Sequence, residues 1–168
     1  MTSITLIPSR SYNRALNLPN VNSDSPEARF LAEFEKVFFN QTCGPCVYCR
    51  EFEMDGYGVA DLVYLPISAQ PEHFGRKKLI AFEGKLLAWR TALGQAFRYR
   101  YFADKSIVLL PFLTSRSAIE NISHFKRMQV GLWTFESEAL RIRQHFTPTK
   151  IHAFNIRARA KAIAELSV

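Results

Sequence analysis

The chain has 168 residues, 48% of them apolar and 22% charged, which suits one folded domain and excludes a disordered polar chain. The 22 Lys and Arg against 15 Asp and Glu leave a net charge of +7, a bias toward an anionic partner such as nucleic acid. The longest apolar run, Ile107 to Leu113, is broken by Pro111 and is too short to span a bilayer.

Met1 to Pro19 is polar and interrupted by Pro8, Arg10 and Arg14, without the apolar core of a secretory signal, so a cytoplasmic location is expected. Residues 1–23 show no sustained periodicity and read as an irregular arm. Asp24 or Ser25 then suits a helix cap and Pro26 the first turn; Phe30, Leu31, Phe34, Val37 and Phe38 predict a helix over 26–39. Cys43 to Cys49, turned by Gly44 and Pro45, reads as a loop, followed by a short strand from Arg50 to Met54.

Gly58 to Leu65 is a run of Val, Leu and Tyr around one acid, Asp61, and predicts a largely buried strand. Leu79 to Lys85 predicts a second, joined to the first by a long connection containing Pro66, Pro71 and Gly75. A helix from Leu86 to Ala103 follows, with Leu86, Leu93 and Phe97 on its apolar side; then come a strand from Ser106 to Pro111, a helix from Ser117 to Arg127 and a strand from Val130 to Phe135. Ala139 to Phe146 sets Leu140, Ile142 and Phe146 against Arg141, Arg143 and His145, as in an edge strand with one basic face, and Asn155 to Leu166 predicts a terminal helix. The alternation implies one α/β domain with a mixed central sheet flanked by helices: arm 1–23, core 24–135, and a C-terminal strand and helix in 136–168.

Side chains alternate along a strand, so Ala81, Glu83 and Lys85 share one face and Ile80, Phe82 and Gly84 the other. If the strand around Asp61 lies alongside, two carboxylates and an ammonium converge on an apolar sheet. Two such carboxylates repel, and a divalent cation between them offsets the repulsion; hard oxygen ligands suit Mg²⁺ or Mn²⁺. That set answers what phosphodiester hydrolysis requires, with Lys85 orienting or deprotonating the attacking water or stabilising the charge that builds on phosphorus.

The run GYGVADLVYL, then FEGK, then QAFRY in a helix, then SIVLLP, resembles the restriction-endonuclease-like nuclease superfamily with its PD-(D/E)XK signature. The resemblance covers roughly residues 25–135 and implies that Asp61 and Glu83 bind metal and that Lys85 is the catalytic lysine. Gln95 and Tyr99 look like the QxxxY motif of its RecB-type branch, where these residues help position DNA; at i and i+4 they face one side of their helix. Ala60 stands where the family signature has proline. The helix before the sheet often donates another acid in this family, and Glu27 is the candidate here; a helix-dipole and capping role with Asp24 is the other reading of the same residue.

Cys43, Cys46 and Cys49 have CxxCxxC spacing, which can wrap zinc or join an iron–sulfur cluster, with His73, His124, His145 or His152 as a fourth ligand; reduced structural thiols are the alternative. Arg98, Arg100, Lys105, Arg141, Arg143, Arg157 and Arg159 form a diffuse basic set able to track a phosphate backbone, with Tyr99, Tyr101 or Trp89 placed to stack on bases. The expectation is a Mg²⁺-dependent deoxyribonuclease acting on DNA, with RNA left open and with a homodimer or a partner protein supplying specificity. Its rivals are a catalytically silent nucleic-acid-binding subunit that keeps the fold, and a small metal-binding interaction protein organised by the cysteines.

Overall fold

A computed structural model of the protein describes residues 13–15, 25–42, 45–66, 78–149 and 152–166. Helix α1 spans Pro26–Gln41. Ser25 caps it, its Oγ accepting from the Ala28 amide at 3.0 Å, and Pro26 occupies a position where no amide hydrogen is needed. Asp24 lies outside the described residues. Phe30, Phe34 and Phe38 recur every four residues and form one buried stripe.

That stripe lies on a seven-stranded sheet whose strands follow one another in chain order: β1 Asn13–Ala15, β2 Cys46–Met54, β3 Gly58–Pro66, β4 Ile80–Gly84, β5 Lys105–Pro111, β6 Gly131–Glu136 and β7 Arg141–Phe146. The sheet is mixed: β1–β2, β4–β5 and β5–β6 run parallel, and β2–β3, β3–β4 and β6–β7 antiparallel. On one face α1 meets Leu62, Tyr64, Phe82, Ile107, Leu109, Trp133 and Phe135. Phe38 touches Tyr64 and Phe82 edge to face at 5.2 and 5.3 Å between ring centres. On the other face lie helices α2 (Trp89–Tyr99), α3 (Arg116–Glu120), α4 (Ile122–Met128) and α5 (Ile156–Leu166), packed over Val63, Leu65, Ala81, Val108 and Leu110. The parallel β4–β5 pair is bridged by α2, the crossover that parallel strands require.

Several boundaries differ from the sequence reading. Residues 13–15 of the expected arm add a strand beside β2. β2 begins at Cys46, so Cys46 and Cys49 belong to a strand and not to a loop. Helix α2 is shorter than expected at both ends: Leu87 stays exposed before it, and residues 100–103 turn away after Tyr99. The helix expected over 117–127 breaks at Asn121, whose backbone (φ −104°, ψ 25°) leaves the helical region. β7 starts at Arg141 after a turn in which Leu140 has φ 47°. Opposite Leu132 and Trp133 the strand carries an extra residue, His145, and the bulge sends Phe146 to the α2 side while Ile142 stays with α1. One apolar face against one basic face is therefore not what β7 presents. Pro71, His73 and Gly75 lie outside the described residues.

Candidate active site

The β2–β3 hairpin runs in register from Cys46↔Pro66 to Met54↔Gly58, whereas β3 pairs with β4 only as far as Leu62↔Phe82. Asp61 and Glu83 are the next residues of those two strands, opposite each other one step past the last pair. β4 meanwhile stays paired with β5 to Gly84↔Leu109. The gap is bridged by a side chain: Asp61 Oδ2 accepts from the Gly84 amide at 2.7 Å, taking the donor that a continued ladder would give to a β3 carbonyl. The two acids thus stand at the mouth of a notch where β3 parts from β4.

The pleat itself is irregular here. On the α2 face the inward residues step from Cys49 to Phe52 along β2 and from Val63 to Ala60 along β3, skipping two residues where alternation allows one. The skipped residues include Glu51 and Asp61, which face each other across the hairpin. Glu51 has φ 47°, a left-handed backbone costing about 1–3 kcal/mol in a residue with a side chain. Gly84, between the acid and the lysine, lets α1 approach: a Cβ there would lie 2.9 Å from Leu31 Cδ2.

Glu83 is 1% exposed. Tyr99, fully buried on α2, reaches it with Oη 2.6 Å from Glu83 Oε2, and the same hydroxyl lies 2.5 Å from the Val59 carbonyl oxygen. Lys85 Nζ lies 3.5 Å from Glu83 Oε1. Burial, then the Asp61 charge, pushes the Glu83 carboxyl up from 4.5 to about 7. Asp61 is also raised, first by burial, against the Gly84 amide and Lys85, with Glu27 and Glu51 adding to the rise. Burial would lower Lys85, but Glu83, Asp61 and Glu27 outweigh it and hold its ammonium above the ordinary value. Burial and the Glu83 hydrogen bond both push the Tyr99 phenol up.

Asp61, Glu83, Lys85 and Tyr99 are therefore brought together. Glu27, in the first turn of α1, is close enough to act on both Asp61 and Lys85. Gln95 lies one turn before Tyr99, and its Oε1 is buried without a hydrogen-bond partner among the described residues. Sequence reasoning missed Glu51, although Gly56 and Gly58 mark the tight turn whose register places it opposite Asp61. Among the described residues no group of three or more His, Cys, Asp or Glu side chains is arranged to hold a metal ion.

The basic residues divide. Arg98 is exposed at the site, its Nη2 3.7 Å from where a Gly58 Cβ would be. Arg141 and Arg157 are also exposed. Three others serve internal contacts. Arg100 is buried, donating to the Met128 carbonyl at 3.1 Å; Arg143 bonds Glu136 at 3.1 Å and covers the Phe112 ring; Arg159 Nε donates to both Asp104 oxygens at 2.9 Å. Trp89 is buried against Phe125, and Lys105 is half-buried.

Of the three cysteines, Cys46 and Cys49 are described, and they do not share a face of the sheet. Cys46 packs with the α1-side core and Cys49 with the α2-side core, so the sheet separates the two thiols that the expected loop would have aimed at one ion. Burial raises both thiols, as in structural cysteines. Cys43 lies outside the described residues. His145 Nε2 is 2.9 Å from Thr134 Oγ1, at the opposite edge of the sheet from β2, and His124 stands against Trp89.

No protein-family model matches the chain, and no curated protein matches it by sequence. In fold it is similar to a solved structure of a protein of unknown function from Silicibacter pomeroyi: TM-score 0.50 and 13% identity, over 73% of this chain and 72% of that one. At that identity the likeness concerns the fold alone. No helix of the described residues is long and apolar enough to cross a membrane.

Proposed function

We propose that the protein is a Mg²⁺-dependent nuclease that hydrolyses phosphodiester bonds of DNA, in line with its resemblance to the PD-(D/E)XK superfamily. The observation that carries this reading is the notch between β3 and β4: two opposed carboxylates, Asp61 and Glu83, beside a Lys85 that their charge keeps protonated.

The donor set fits a hard divalent ion. Among the described residues Asp61 spends Oδ2 on Gly84 and keeps Oδ1 for a ligand, and Glu83 Oε1 faces Lys85. Two carboxylates without a third side-chain ligand suit Mg²⁺, which keeps several waters and commonly binds through one or two carboxylates plus substrate phosphate oxygens. Asp61 and Glu83 would hold it, with Glu27 nearby. When bound, the ion neutralises charge on the scissile phosphate and acidifies the attacking water.

The chain's own groups supply the rest. Tyr99 fixes the Glu83 carboxyl, and the Gly84 amide fixes Asp61. Lys85, held as a cation by Glu83, Asp61 and Glu27, serves as a charge partner for the phosphate; an ion shared with those acids would loosen that hold and open to Lys85 the role of orienting or deprotonating the water. Arg98 offers a second, exposed cation at the rim, and Gln95 Oε1, without a partner among the described residues, can accept from a water or a substrate group.

The test is cleavage of linear and circular DNA, single- and double-stranded, with Mg²⁺ or Mn²⁺. Asp61→Ala and Lys85→Ala should each lose at least about a hundredfold in rate while remaining folded. Unchanged cleavage in either variant, or none in the native protein with any divalent ion, would overturn the proposal.

A further inference from the structure

Three aromatic side chains from separate parts of the chain meet at the surface beside the notch. Tyr57, in the β2–β3 turn, stacks on Tyr101 with ring centres 5.3 Å apart and planes at 19°. Tyr101 meets Phe154 edge to face at 5.5 Å, and Phe154 leans on Phe97. Tyr101 is 41% exposed and Phe154 51%. The Arg100 guanidinium lies 4.1 Å from the centre of the Phe154 ring.

Backbone bonds hold this ledge in place. The Phe154 amide donates to the Arg100 carbonyl at 2.8 Å and the Asn155 amide to the Tyr101 carbonyl at 3.0 Å, while Asn155 Nδ2 donates to Tyr57 Oη at 3.3 Å. Burying aromatic area recovers roughly 25 cal/mol for each Å² removed from water, so exposed rings held in fixed positions offer a favourable contact to an occupant.

We propose that the ledge is a base-stacking platform that selects single-stranded nucleic acid and feeds it to Asp61 and Glu83; this rests on the nuclease reading of that site. Charge and spacing favour that occupant over an apolar peptide. Exposed Arg98 abuts Gly58, the residue after Tyr57, and exposed Arg157 opens α5 just beyond Phe154, so cations flank the rings where a phosphate backbone would run. Gly58 to Asp61 is three strand steps, roughly 10 Å, or about three stacked nucleotides. In a duplex the base faces are covered by neighbouring pairs; an unpaired base offers a free face to Tyr101 and Phe154.

The test measures affinity with EDTA present, so that no strand is cut, for a fluorescent thymidine oligonucleotide, the same backbone without bases, and a closed hairpin duplex. The thymidine strand should bind about fivefold to a hundredfold more tightly than the abasic one. Tyr101→Ala and Phe154→Ala should each shrink that advantage, and Tyr101→Trp should keep it. Equal affinity for the abasic strand, or an advantage that both alanine variants retain, overturns the platform and leaves the rings to a protein partner or a second copy. Ledge-dependent binding without cleavage in any divalent ion keeps the platform and removes the hydrolase, whereas cleavage with ledge-independent binding does the reverse.

Discussion

The Tyr99 hydroxyl holds Glu83 from the far side of the notch and has one proton for two acceptors, the Glu83 carboxylate at 2.6 Å and the Val59 carbonyl at 2.5 Å. When Glu83 is neutral, its own proton can bond to Tyr99 Oη and the phenol can serve Val59, so all three groups are satisfied. When Glu83 is ionised, the phenol must choose. Tyr99→Phe removes a bond that favours the ionised acid, so Glu83 should titrate above about 7. The acidic limb of the pH–rate profile should move upward, with a larger loss at pH 6 than at pH 8.5, and stability should fall by about 1 kcal/mol. A uniform loss at all pH values would show that Tyr99 acts only as packing.

The raised Glu83 carboxyl makes stability depend on pH in a definite direction. Between 4.5 and about 7 the folded protein holds a proton that the unfolded chain has released, so the contribution is complete below pH 4.5 and is lost as pH rises through 7. The change is of order 3 kcal/mol for a group this buried. On the proposed nuclease reading a divalent cation would bind the ionised site, so the rise in Tm on adding Mg²⁺ should be larger at pH 8 than at pH 6. Glu83→Gln should flatten the pH dependence and abolish most of the Mg²⁺ effect. A Mg²⁺ increment that is equal at both pH values would detach the ion from Glu83.

Asp61, Glu83 and Lys85 were legible because strand alternation is a local rule: an acid inside a Val-Leu-Tyr run and an ExK at a strand end need little tertiary information to be placed. The Ser25 cap and the Phe30, Phe34, Phe38 stripe were legible for the same reason. What escaped depends on neighbours. The skipped pleat at Glu51 and Asp61 exists because a side chain takes a ladder bond from Gly84, and the β7 bulge at His145 flips Phe146 relative to Ile142. Gly44-Pro45 points to a loop through Cys49, while Val47 and Tyr48 pair with Leu65 and Tyr64 and draw Cys46 and Cys49 into β2.

Arg50 and Glu35 form a pair whose two members are unequally buried, with side-chain exposures of 53% and 5%. Removing the acid leaves a guanidinium that water can reach; removing the arginine strands a carboxylate already raised by burial and, among the described residues, held down by Arg50. Arg50→Ala should therefore destabilise more than Glu35→Ala, by about 1–2 kcal/mol after allowing for the exposed guanidinium. Its deficit should grow as pH rises from 5 to 8, because the stranded acid takes up a proton on folding and that stability is lost once pH exceeds its raised value. Denaturant melts of both variants at pH 5 and pH 8 measure this, and equal deficits at both pH values would contradict it.

Two arginines that look alike in sequence should fail in different assays. Arg159 is 20% exposed and clasps Asp104, which is 3% exposed and also accepts from the Leu79 amide at the start of β4. Replacing Arg159 by Ala leaves a buried carboxylate without its cation and should cost about 3 kcal/mol of stability. Arg98 is exposed beside Gly58, and its loss strands nothing inside the protein. Arg98→Ala should leave Tm within about 2 °C of the parent, weaken DNA binding similarly across sequences, and reduce the slope of log affinity against log salt by about one. The comparison separates a cation that holds the fold from one that holds phosphate: an unchanged salt slope in Arg98→Ala would remove Arg98 from the binding surface, and an unchanged Tm in Arg159→Ala would mean that Asp104 is satisfied without it.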